Sequence, residues 1–134
     1  MNLSVRFLSN VANVNSFIYI DRPTFTEGDT SDVYFQLVDK ELDTPAFNFY
    51  PPYRRFVPIV GSTLIVTLMS LDSTRVVTKA AIQPFVGDAS IWKFGVTPSD
   101  KLRGSVNMRL QLNQGGVITN ALIQPAINVL AKGQ

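Results

Sequence analysis

Apolar and polar residues alternate with a period of two along much of this chain. The clearest run is Ser105 to Asn113, where Val106, Met108, Leu110 and Leu112 alternate with Asn107, Arg109, Gln111 and Asn113. Successive side chains of a strand point to opposite faces, so this run reads as a strand with one buried and one wet face. Gln114-Gly115-Gly116 follows, and its glycines suit a tight turn at positive φ. Val117 to Gln124 then alternates again, with Val117, Thr119, Ala121 and Ile123 on one side, which completes a predicted β-hairpin.

The same pattern predicts strands over Asp32–Val38, with Val33, Phe35 and Leu37 on one side, and over Ser62–Leu71, which is rich in β-branched residues. Asp72-Ser73 marks a turn, across which Arg75–Ile82 pairs back as a second hairpin. Ser90–Thr97 aligns Trp92, Phe94 and Val96 on one large apolar face. Leu3–Leu8 and Val14–Ile20 read as strands, and Val129 and Leu130 as part of a short final one. Helix signals amount to one turn at Ser99–Arg103 before Gly104. Seven or eight short strands separated by turns predict an all-β fold, a single antiparallel β-sandwich, with a closed barrel as the alternative.

One stretch resists this pattern. Lys40 to Val60 holds Phe47, Phe49, Tyr50-Pro51-Pro52-Tyr53, Arg54-Arg55 and Phe56, and reads as a long aromatic and basic loop. Loops of this length are uncommon in compact domains and often carry binding surfaces. Tyrosine and arginine combine contact area with hydrogen bonding, so Tyr50, Tyr53, Arg54, Arg55 and Phe56 are the interface candidates. The competing reading folds the aromatics back over the sandwich and leaves the arginines wet.

Composition narrows the chemistry. The 134 residues fit one domain, 46% of them hydrophobic and only 16% charged. Histidine and cysteine are both absent, which removes His or Cys nucleophiles, a histidine base, disulfides and the usual zinc ligands. The net charge of +2 comes from scattered basic residues, with Arg54-Arg55 the single adjacent pair, so nucleic acid is not the expected partner. No apolar run approaches the length of a membrane-spanning helix, and no secretory signal pattern opens the chain.

The remaining motifs have ordinary readings. Glu27-Gly28-Asp29-Thr30-Ser31-Asp32 clusters three carboxylates, yet it lacks the ligand spacing of a calcium loop and is expected to be the turn that launches the next strand. Most of the other acidic residues sit in predicted turns, no Gly-x-Ser-x-Gly elbow occurs, and no glycine-rich phosphate loop is present. The expectation is a protein that is not an enzyme and carries no cofactor and no metal. Trp92 is expected in the core.

Several segments in order resemble a known group. They are Thr26-Glu27-Gly28-Asp29-Thr30 leading into Val33–Asp39, then Tyr50–Pro58, Gly61–Thr67, Gln83-Pro84-Phe85 to Ser90-Ile91-Trp92, and Leu102-Arg103-Gly104. This order resembles small β-sandwich structural proteins of tailed-bacteriophage virions. It is also similar to the immunoglobulin-like N-terminal module of phage baseplate upper proteins, which carry further domains where this sequence ends.

The resemblance implies a virion location and a small accessory module docking on repeated particle subunits, either capsid decoration or a tail or baseplate adaptor. Other virion proteins are the implied partners, with homo-oligomerisation open and no membrane. Residues 1–15 are a candidate N-terminal arm for such docking. The alternative is a stand-alone module that binds carbohydrate or another host-surface ligand through the 40–60 loop.

Overall fold

The computed structural model describes residues 2–9, 18–40, 54–71 and 75–132. The chain is all-β, with ten strands in two sheets and a single 3-10 turn at Pro98–Asp100 among these residues. The strands are β1 Leu3–Leu8, β2 Tyr19–Ile20, β3 Thr24–Thr26, β4 Ser31–Asp39, β5 Arg54–Arg55, β6 Thr63–Ser70, β7 Val76–Ala81, β8 Ile91–Val96, β9 Gly104–Gln114 and β10 Val117–Leu130. No helix among the described residues is long and apolar enough to cross a membrane.

Sheet A runs β2-β1-β4, with β8 and then β5 sharing the far side of β4. Sheet B runs β3-β10-β9-β6-β7. Alternation places matching apolar residues opposite one another inside sheet B, where Leu64 pairs with Leu112, Val66 with Leu110 and Leu68 with Met108. Sheet A answers with Val33 opposite Phe94 and Phe35 opposite Trp92. The inward faces of both sheets merge into one core. Phe35 and Phe94 meet there in a tilted pair with ring centroids 5.9 Å apart. Trp92 is buried in this core, as expected.

The hairpin of β9 and β10 turns at Gly115 and Gly116, with φ of +60° and +96°, the twin positive values of a type I′ turn. Its ladder is regular until the register shifts between Ile123 and Ile127, around Pro125, which has no amide proton to give. Beyond this bulge Ala126, Ile127 and Val129 are buried, so Val129 and Leu130 continue β10 rather than forming a strand of their own.

Three features lie outside the alternation pattern. β3 pairs parallel to β10, Thr24 opposite Asn128, as the chain passes from sheet A into sheet B. Arg54–Arg55 adds a short strand beside Val38 and Asp39, within the stretch expected to be irregular. At the β7–β8 margin, Ile82 and Lys93 exchange two backbone hydrogen bonds of 2.9 and 2.8 Å, which join the two sheets along one side.

Leu3–Leu8 pairs along its length with β4 and, at Phe7 and Leu8, with β2, so these residues of the candidate arm belong to the sheet. The rest of that arm from residue 10 on, and residues 14–17 of the expected second strand, lie outside the described residues. The expected helical turn is the 3-10 turn Pro98–Asp100, and Lys101 ends it with φ +55°.

Candidate functional site

Of the interface candidates, Tyr50 and Tyr53 lie outside the described residues. Arg54 and Arg55 form β5. The Arg55 guanidinium reaches Asp88 at 3.3 Å, its side chain exposed while that of Asp88 is buried. Phe56 donates its amide to the Leu37 carbonyl at 2.8 Å, and its ring packs against the core. The described end of the aromatic and basic segment is thus tied down onto sheet A.

Asp88 explains where Arg55 goes. Its Oδ1 accepts hydrogen bonds from the Ser90 amide, at 3.0 Å, and from the Ser90 hydroxyl. That hydroxyl accepts from Gln36 Nε2 at 3.1 Å, and Gln36 Oε1 accepts from the Tyr19 hydroxyl at 3.1 Å. The Arg6 guanidinium stacks over the Tyr19 ring at 3.5 Å. A chain of hydrogen bonds from Asp88 through Ser90 and Gln36 to Tyr19 therefore crosses the outer face of sheet A, supplying the partners that the buried Gln36 and Ser90 side chains need.

Around it, Leu8, Tyr34 and Ile91 form a second apolar cluster, and Phe85 stacks on Tyr34 with 6.2 Å between centroids. The 83–90 connection lies over Tyr34 and Gln36 through Phe85 and Ser90, and the outward residues Tyr34, Gln36 and Val38 of β4 are all buried.

Sheet B is different, because its outer face is open. β9 turns Asn107, Arg109, Gln111 and Asn113 outward, opposite Met69, Thr67, Ile65 and Thr63 of β6. β10 adds Ile118, Asn120 and Leu122 on one flank, and β7 adds Val76, Thr78 and Ala80 on the other. Across these four strands the outward positions carry one charge, Arg109, which forms no ion pair with any described residue. The single basic side chain of β7, Lys79, turns the other way. Its ammonium lies 2.8 Å from Asp100.

A face with a single charge is suited to burial against a partner. Burying an unpaired charge is costly, whereas amides and hydroxyls need only a hydrogen-bond partner across the contact. The cores of protein interfaces are accordingly depleted in charged residues. The face also exposes Leu122, Ile118 and Val76, each about half accessible or more. The aromatic and basic 50–56 segment is the more conspicuous surface in the sequence, but the alternation of Asn, Gln and Thr in β6, β9 and β10 carries this second one.

The carboxylates of the 27–32 segment diverge. Glu27 pairs with Arg103 at 2.6 Å, and Asp32 faces Lys93 at 3.8 Å. No group of three or more acidic residues is close enough to hold a metal ion among the described residues.

Asp100, at the end of the 3-10 turn, is held by several donors. Lys79 straddles its two oxygens at 2.9 and 2.8 Å, and the Thr97 amide donates at 2.9 Å. Burial alone raises the pKa of this carboxyl, but the Lys79 ammonium and the Thr97 amide outweigh it and hold it below its ordinary value. Arg75 binds the same turn from the other side, donating Nε to the Asp100 carbonyl at 2.7 Å.

No protein-family model matches the chain, and no curated protein matches it.

Proposed function

We propose that the chain is a non-enzymatic structural protein of a tailed-bacteriophage virion, an immunoglobulin-like sandwich that docks on repeated particle subunits through the outer face of sheet B. The observation that carries this reading is the near absence of charge on four exposed strands whose outward positions are Asn, Gln, Thr and aliphatic residues. The order of segments from Thr26 to Asn128, which resembles small virion proteins, supports the particle setting.

Arg109 shapes the choice of partner. A symmetric pair of copies joined about an axis near it would place two guanidiniums together, with no outward carboxylate on those strands to relieve them. The reading therefore assigns this face to a different chain, one that offers an acidic group opposite Arg109.

The test is quantitative mass spectrometry of purified particles together with cryo-electron microscopy of the same particles. Many copies per particle, with sheet B against a neighbouring subunit, are expected. Particles that lack the chain, combined with glycan-array binding that Tyr53→Ala abolishes, would replace this reading with the host-surface-binding alternative.

A further inference from the structure

At one end of the two sheets, four separated parts of the chain close around a cavity of about 400 Å3. The turn after β3 contributes Glu27 and Gly28, the end of β6 contributes Ser70, and the connection after β8 contributes Lys101 and Arg103. Lys132 completes the lining, its aliphatic stem passing over Gly28, where an added Cβ would lie 3.9 Å from Lys132 Cδ. Cavities of this size are in the range that holds small molecules.

The charges of the lining are unbalanced. Glu27 is its one carboxylate, and Arg103 already engages it at 2.6 Å. Lys101 and Lys132 form no ion pair with any described residue, so two positive charges are left facing one space. Ser70 is a second, independent signal: it is only 4% exposed, and its hydroxyl has no hydrogen-bond partner. An orphaned buried hydroxyl is uncommon in folded proteins and points to an unfilled partner. The wall bearing Lys101 is also firmly placed, since Asp100 is fixed by Lys79 and Thr97 while Arg75 grips the turn's carbonyls.

We infer that this cleft binds the phosphate group of a small phosphomonoester or of free phosphate. Two uncompensated ammonium groups match a dianion, and a phosphate monoester carries about −1.5 to −2 at neutral pH, whereas a carboxylate carries one charge. Lys101 and Lys132 supply charge-assisted hydrogen bonds to the phosphate oxygens. Ser70, enclosed in the lining, gains the acceptor it lacks when its hydroxyl rotates toward a phosphate oxygen. None of the lining residues is among the outward positions of sheet B, Ser70 turning to the opposite side of β6 from Met69, so the site does not depend on the docking reading.

The experiment is a titration of the full chain, followed by calorimetry and by amide NMR shifts, with inorganic phosphate, glycerol phosphate and, at matched ionic strength, acetate. Saturable shifts at Gly28, Ser70, Lys101 and Lys132 are expected with the two phosphates and not with acetate. Lys101→Gln and Lys132→Gln should each weaken binding about tenfold, the loss of one charged hydrogen bond. Ser70→Ala should melt at an unchanged temperature without phosphate and still bind more weakly than the native chain.

Tighter binding of glycerol phosphate than of inorganic phosphate identifies the monoester as the source, and the reverse order identifies the free ion. An equal response to acetate, no saturable shift, or phosphate binding unchanged in the Lys101→Gln/Lys132→Gln double variant would each overturn the inference.

Discussion

Replacing Asp100 with asparagine removes the side chain's charge and exchanges the oxygen that faces Lys79 for an NH2 donor. The carboxylate side chain is 8% exposed and that of Lys79 is 21% exposed, so solvent screens the pair only weakly. Asparagine keeps the shape and can still accept from the Thr97 amide. What it loses is the charge-assisted part of the Lys79 contact, and hydrogen bonds to charged groups contribute about 1.5–3 kcal/mol. Asp100→Asn is therefore expected to lower the unfolding free energy at neutral pH by about 2 kcal/mol.

The pH dependence has a definite sign. The folded-state pKa of Asp100 is depressed below its ordinary 3.8, so the carboxylate's stabilisation is fully present above that value. It is lost as pH falls through the folded pKa, because the unfolded chain then binds the proton more readily. Urea unfolding of both proteins, from neutral pH stepwise to well below 3.8, measures the gap directly. The gap should shrink in acid and vanish once Asp100 is protonated in both states. Lys79→Met, which strands a buried carboxylate, should cost more, about 3 kcal/mol or above at neutral pH. A gap between wild type and Asp100→Asn that stays constant down to the lowest pH would refute the electrostatic account and assign the loss to geometry.

Three further outcomes are expected. Leu68 is fully buried opposite Met108, so Leu68→Ala should lose about 2–5 kcal/mol in chemical denaturation and lower the melting temperature. Ser90→Ala leaves Gln36 Nε2 without its acceptor and should cost about 1–3 kcal/mol, part of which Gln36→Leu in the same chain restores; a double-mutant cycle reads the coupling. Gln111→Lys on the outer face of sheet B should change stability by no more than about 0.5 kcal/mol. Under the proposed virion docking, its unpaired ammonium should nevertheless sharply reduce the copy number in purified particles, and an undiminished copy number refutes the assignment of docking to this face.

What could be read from sequence divides along physical lines. β6, β8 and β9 bury one face, and β7 and the first half of β10 half-bury one, so their alternation announces them within a residue or two of the observed ends. β4 was legible as a strand, but its continuous run from Val33 to Val38 carries a further message. Both of its faces are buried, one in the core and one beneath the 83–90 connection. β3 and β5 were not legible because two or three residues cannot show a period. Their existence is decided by distant partners, Asn128–Leu130 for one and Val38–Asp39 for the other.

The sites divide in the same way. The nearly uncharged face is written in the polar residues of consecutive strands. The basic cleft gathers Glu27, Ser70, Lys101 and Lys132 from remote parts of the sequence, which no local pattern connects. In the 50–56 segment, composition leaves open both an outward interface and a fold-back over the sandwich; at its described end Arg55 stays exposed while pairing with Asp88, and Phe56 packs against the core. A buried carboxylate and an apolar surface of the chain itself competed for those side chains, and only the fold reveals that competition.

The paired amides of Ile82 and Lys93 give the two layers unequal margins. On that side the layers are stitched by backbone, while on the other they end in β2 and β3, strands of two and three residues. Breathing of the native protein should therefore begin at Tyr19–Thr26 and travel inward, with the Ile82 and Lys93 amides among the last to exchange with solvent. The aromatic interior is buried in the native state, so a protease that samples openings begun at this margin meets the same few residues first.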